Sequence, residues 1–203
     1  MFFRQVKHYG DNFSYVIADE DSGEAMVVDP SFNAAALVKL MKEKQFRVKY
    51  IVNTHGHGDH TAGNEDVKEA CGGKVVAHRL SATRKDVSMD DGDVLQVGKA
   101  KVKILYTPGH SLDSVCLLVD GKLLTGDTLF IGECGRTDVP GGSAEQLYHS
   151  LFDKLLKLDD GVVVFPGHDY GPKPFSTMDE QRRTNYVLEE RSLKEFLGFM
   201  SQP

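Results

Sequence analysis

Four short apolar segments of this chain end in the same manner, in a glycine-containing turn that carries histidine or aspartate. YIV runs into NTHGHGDH (53–60), KILYT into PGH ending at His110, KLLT into GD ending at Asp127, and VVVF into PGH ending at His168. Five of the eight histidines therefore sit just after strand-like runs. Such groups are costly to bury and repel one another when like-charged, so their gathering calls for a positive species between them. His55, His57, Asp59, His60, His110, Asp127 and His168 make seven candidate metal ligands. Roughly four to six groups saturate one ion, so seven imply two adjacent sites that share a carboxylate.

The first cluster reads as extended chain. Gly56 and Gly58 would each cost a helix about 1 kcal/mol, and the helical zinc motif needs HExxH spacing. Alternation at period two then points His55, His57 and Asp59 to one side. A turn that begins at Asp59 brings His60 round to join them.

The rest of the chain alternates strands and helices. FSYVIA (13–18) and EAMVVD (24–29) flank the polar turn DEDSG, a hairpin pattern. NAAALVKLMKEK (33–44) has helical spacing with Asn33 as its cap, VKYIVN (48–53) reads as a buried strand, and AGNEDVKEA as a helix ending at Cys71-Gly72. KVVAH, VLQV, KVKILYT, VCLLV, KLLT and VVVF are further strands, with Asp120-Gly121 as a tight hairpin turn. Ser143 to Leu158 reads as one amphipathic helix with Leu147, Leu151, Leu155 and Leu158 on a face and Ser143–Gln146 as a capping box. Thr177–Glu180 and Ser192–Glu195 mark two more helix starts. This order implies an α/β architecture with more than one sheet.

Composition narrows the function. The chain has 203 residues and a net charge of −6, with no basic run, which disfavours nucleic acid as a partner. No apolar stretch nears the roughly 20 residues needed to cross a bilayer. Cys71, Cys116 and Cys134 form no CxxC and no disulfide framework, and the N-terminus has no leader pattern, so the expected home is the cytoplasm. His8 and His78 read as surface or partly buried residues, His149 as a polar-face residue, Cys71 as helix-end packing, and Cys116 as core.

His-x-His-x-Asp-His, the two isolated histidines and the Gly-Asp together resemble the metallo-β-lactamase superfamily, from about Phe13 to Phe199. The resemblance implies an αβ/βα four-layer sandwich in a single domain, 1–203: two mixed β-sheets face to face, helices outside, and the metal site along one edge. It also implies that His55, His57 and His110 hold one metal, that Asp59, His60 and His168 hold a second, and that Asp127 bridges. GDTLFIGECGRTD (126–138), AEQLYHSL (144–151) and FPGHDYG (165–171) followed by STMDEQRRTN (176–185) look most like the persulfide dioxygenase branch, and less fully like the glyoxalase II thioesterases. Only 203 − 168 = 35 residues follow the last candidate ligand, too few for the long helical region of glyoxalase II.

Two chemistries follow from that resemblance. In the first, one Fe(II) uses His55, His110 and Asp127 to bring O₂ to a glutathione persulfide, and the other four ligands orient and tune it. In the second, two Zn, or a mixed Zn/Fe/Mn pair, activate water towards an S-acyl glutathione, with Asp59 orienting the nucleophile. Arg136 is the candidate for a substrate carboxylate, Tyr170 for a hydroxyl close to the last histidine, and Cys134 for a place near the pocket. An RNA-processing metallohydrolase is a third reading, disfavoured by the acidic balance. The expected partner is a small-molecule thiol, not nucleic acid or membrane, and a homodimer stays open.

Overall fold

A computed structural model describes residues 1–8 and 10–201. Two six-stranded sheets dominate it, with a two-stranded ribbon at one end. The first sheet runs in the order β1 (Phe2–Lys7), β2 (Phe13–Ala18), β3 (Glu24–Val28), β4 (Arg47–Val52), β5 (Lys74–His78) and β6 (Val87–Met89). Its first three strands are antiparallel neighbours, and β3 to β6 are parallel, so the sheet is mixed. Of the parallel steps, β3 to β4 crosses over through α1 (Ala35–Lys44), β4 to β5 through the single turn α2 (Gly58–Thr61) and α3 (Asn64–Cys71), and β5 to β6 through a loop without a helix.

The second sheet contains β7 (Val94–Val97), β8 (Ala100–Tyr106), β9 (Val115–Val119), β10 (Lys122–Gly126), β13 (Val163–Pro166) and β14 (Ser176–Thr177), in the order β14-β13-β10-β9-β8-β7. β11 (Leu129–Phe130) and β12 (Glu133–Cys134) form the ribbon. Helices α4 (Ala144–Tyr148), α5 (Met178–Thr184) and α6 (Leu193–Met200) belong to this half.

Strand periodicity sorts the side chains into layers. In β2, Tyr15 and Ile17 enter the core between the sheets, whereas Val16 and Ala18 face the helical layer with Leu37, Met41 and Val67. Both sheets feed the central core, with Met26, Val52 and Val76 from one and Ile104, Leu117, Leu124 and Phe165 from the other. A third cluster joins Leu123 and Val164 to Leu147, Leu151, Leu155 and Phe196. Helix, sheet, sheet and helix therefore stack in four layers, as the resemblance implied.

Most elements fall where the patterning places them. Asp120 and Gly121 both take positive φ, 47° and 70°, in the turn that pairs Val119 with Lys122. The N-cap of α1 is Ala34 rather than the expected Asn33, although Asn33 Oδ1 accepts from the Ala35 amide. Ser192 and Glu195 complete a reciprocal capping box on α6. Three further expectations need correction. The segment 143–158 is not one α-helix: α4 widens into a π-helix over His149–Lys154 and ends in a 3-10 turn, Leu155–Lys157. His78 is fully buried, because its ring stacks on Tyr106 with centroids 4.3 Å apart. The 53–60 cluster is not extended throughout: the chain bends at Thr54–His55, and a helical turn follows His57 with Gly58 in its first position.

Candidate metal centre

All four ligand loops open at one edge of the sandwich. β4 delivers Thr54 and His55, and β8, β10 and β13 deliver His110, Asp127 and His168. The two sheets touch there: the Val115 amide donates to the Thr54 carbonyl at 2.8 Å. Glycine makes the approach close enough. A Cβ on Gly126 would stand 2.4 Å from Thr54 Oγ1, and one on Gly167 would stand 2.3 Å from Asp127 Oδ1. The turn α2 swings Asp59 and His60 inward after His57.

The seven expected residues meet in one cluster. His57 Nδ1 lies 3.0 Å from both His55 Nε2 and His110 Nε2. His60 Nε2 and His168 Nε2 lie 3.2 Å apart, with Asp59 Oδ2 3.4 Å from the former and 3.3 Å from the latter. Asp127 stands between these two groups. Its Oδ2 is 3.6 Å from His110 Nε2 and 3.3 Å from His168 Nε2, and its Oδ1 is 3.3 Å from His60 Nε2.

A further set of groups, unmarked in the sequence, orients the rings. Asp29 accepts from the Thr54 amide at 2.7 Å and the Thr54 hydroxyl at 2.6 Å, and its Oδ2 lies 3.0 Å from His60 Nδ1. Asp11 lies 3.1 Å from His168 Nδ1, and the Arg136 carbonyl accepts from His110 Nδ1 at 2.9 Å. With Nδ1 engaged, Nε2 of His60 and of His168 turn towards each other and Nε2 of His110 turns towards His57 and Asp127. Asn12 donates to Asp59 Oδ2 at 3.0 Å. Asp29 closes the run EAMVVD and so shares the strand-end position of the ligands, the one signal that could have flagged it.

The electrostatics call for a cation. Burial lowers His55 well below the ordinary imidazole range, and it lowers His110 too. Burial also pulls on His60, but the carboxylates of Asp127 and Asp29 outweigh it and raise the ring well above its usual value. His168 is pushed up to about 10 because Asp127 and Asp59 overcome its own burial. Asp127 is buried yet stays well below the carboxylate range, held there chiefly by His60 and His168. Its Oδ1 has no hydrogen-bond partner although it is buried. An orphaned anionic oxygen ringed by inward-facing nitrogens fits a divalent metal. Three overlapping sets of donors lie close enough to hold an ion: His55–His57–His110, His55–His60–Asp127 and Asp59–His60–His168.

A cleft of about 820 Å³ opens beside His110 and Asp127 and is lined by Phe130, Glu133, Cys134, Arg136, Asp138, Tyr170, Tyr186 and Phe199, among others. Tyr170 lies flat on His168, with ring centroids 4.8 Å apart. Arg136 is exposed and paired bidentately with Asp138, at 2.6 and 2.7 Å. Cys134 does line the cleft, but burial pushes its thiol up to about 12, which removes it as a nucleophile.

Comparison with known proteins fits this geometry. The family model described as Metallo-beta-lactamase superfamily matches residues 10–85 and 80–168. A mitochondrial persulfide dioxygenase, ETHE1, of Bos taurus is 36% identical over 194 residues, covering 94% of this chain and 76% of its own length. A hydroxyacylglutathione hydrolase of Maricaulis maris is 37% identical over 175 residues, covering 84% of this chain and 67% of its own. The crystal structure of ETHE1 from Myxococcus xanthus superposes with a TM-score of 0.93 at 32% identity, over 100% of this chain and 92% of that one.

Proposed function

The chain belongs to the metallo-beta-lactamase superfamily, and from that premise we propose that it is a persulfide dioxygenase using one Fe(II). The observation that carries this reading is the reach of the likeness to persulfide dioxygenases, which extends over more of the chain than the likeness to hydroxyacylglutathione hydrolase does. One core joins the two sheets, and ligand loops come from both, which supports treating residues 1–203 as one catalytic domain. The three free thiols suit a reducing compartment, in keeping with a cytoplasmic site. Among the described residues no helix is long and apolar enough to cross a membrane.

In this proposal His55, His110 and Asp127 hold the metal as two imidazoles and a carboxylate. A bound Fe(II) would supply the redox activity by which dioxygen and a persulfide sulfur react. Asp29, Asp11 and the Arg136 carbonyl keep the rings of His60, His168 and His110 turned inward. Asp59, His57, His60 and His168 surround the metal ligands and fix the charge around them. Arg136 receives a substrate carboxylate by releasing Asp138, an exchange made easy because an exposed ion pair contributes only about 0–1 kcal/mol. Phe130 and Tyr170, edge to face with centroids 5.0 Å apart, both pack against His168. The overall change is RSSH + O₂ + H₂O → RSH + SO₃²⁻ + 2 H⁺, with the terminal sulfur oxidised and the carrier thiol released.

A second reading rests on one observation: Asp59, His60 and His168 form a close donor set of their own. With two Zn, the same cradle suits hydrolysis of an S-acyl glutathione, with Asp59 orienting water. Oxygen uptake decides between them. Iron-loaded protein should consume one O₂ per glutathione persulfide and release sulfite. Hydrolysis of S-lactoylglutathione by zinc-loaded protein, with no oxygen uptake by the iron form, would establish the second reading instead.

A further inference from the structure

The cleft beside the metal cluster holds a carboxylate that the chemistry above does not use. Glu133 sits on the β11–β12 ribbon, six residues beyond Asp127, and lines the same cleft. Its Oε1 accepts from the Cys134 amide at 3.0 Å, and its Oε2 accepts from the Tyr186 hydroxyl. Neither donor is cationic. Among the described residues no lysine or arginine forms an ion pair with Glu133: Arg136 pairs with Asp138, and Arg191 with Glu189. Arg191 is committed further, to the Tyr186 and Val187 carbonyls and over the Phe199 ring.

The charge balance of the outer cleft follows. Arg136 is its one lysine or arginine among the described residues, and Asp138 already neutralises it, which leaves Glu133 as uncompensated negative charge. A ligand bearing only carboxylates meets repulsion there. A ligand bearing an ammonium and a carboxylate satisfies both ends, the ammonium at Glu133 and the carboxylate at Arg136. Tyr186 and Phe199 line the same wall, their ring centroids 5.7 Å apart, and aromatic rings also favour an ammonium. The Tyr186 hydroxyl holds the carboxylate in place, and that hydrogen bond pushes the phenol up to about 12, so it stays a donor.

We propose that Glu133, positioned by Tyr186, is a specificity determinant that binds the ammonium of an α-amino-acid group on the thiol carrier, opposite Arg136. This rests on reading the cleft as the thiol-substrate site. It narrows the substrate class to thiols that present a free amine, such as the γ-glutamyl end of glutathione.

The test separates recognition from turnover. Calorimetry on the metal-loaded full chain compares S-methylglutathione with N-acetyl-S-methylglutathione, which differ at the ammonium. The native protein should prefer the free amine by about tenfold or more, the scale of a charge-assisted hydrogen bond. Glu133→Gln keeps an acceptor for Tyr186 and removes the charge; it should shrink the preference to about twofold or less at unchanged metal content. If that variant loses its metal, Tyr186→Phe replaces it, and the preference should fall at least threefold or so, since the carboxylate is then unheld. Equal affinities in the native protein, no binding of either compound, or an undiminished preference in the variants would overturn the assignment. Oxygen uptake measured in parallel keeps the two claims apart. A retained amine preference without uptake defeats the oxygenase reading alone, and uptake without a preference defeats Glu133 alone.

Discussion

Asp127 faces four imidazoles, with its oxygens 3.3 to 3.9 Å from His55, His60, His110 and His168. Removing it leaves His55 and His110 without an anionic partner for a cation, so Asp127→Ala should abolish metal content and turnover together, as read by elemental analysis and oxygen uptake. Asp29 acts one step away. Asp29→Asn weakens the hold on His60 and should lower metal affinity by about 10–100-fold while the fold persists. Protons bear on the same site. Carboxylates hold His60 and His168 above the ordinary imidazole range, His168 at about 10, and a cation bound beside them favours the loss of their protons. Metal affinity should therefore rise with pH from 6 to 8, and calorimetry in buffers of different ionisation enthalpy should show proton release. Affinity independent of pH would contradict this. The seven clustered residues were legible because each follows an apolar run and a glycine. Asp29, Asp11 and Asn12 were not, since a single acid or amide in a turn looks the same whether or not an imidazole lies behind it.

At the scale of elements, the strands were the readable part, because β-branched runs and alternation report their burial directly. The edge strand β1, the short edge strands β6 and β14 and the ribbon β11–β12 were missed. Their pairing comes from neighbours distant in the chain rather than from their own pattern. The break of 143–158 into a π-helix was equally silent. It places Ser150 to donate to the Pro108 carbonyl at 2.6 Å, which pins the loop that bears His110. The extended reading of 53–60 weighed the helix cost of Gly58 as if it lay mid-helix, whereas it opens a single turn. The close fit at the site edge gives a sharper prediction. Gly167→Ala forces a methyl to 2.3 Å from Asp127 Oδ1 and 2.9 Å from His60 Cε1. Overpacking of this kind costs about 1–3 kcal/mol, here taken from the metal site. Circular dichroism should stay native while metal content falls.

For the molecule as a whole, the site couples the two sheets. His55, His57, Asp59 and His60 follow a strand of one sheet, and His110, Asp127 and His168 follow strands of the other. A bound metal thus ties both halves and should stabilise the fold by mass action, by about 2.7 kcal/mol at a free concentration of about 100 Kd. For a chain of this size that raises Tm by roughly 5–10 °C, and a chelator should reverse it. The central claim, that loops from both sheets converge on one catalytic metal, is tested most directly by diffraction. Crystals of protein loaded with Fe(II) without oxygen should show an anomalous peak above the iron edge, absent below it, bounded by His55, His110 and Asp127. No peak within the seven-residue cluster, or iron bound elsewhere on the chain, would contradict the account.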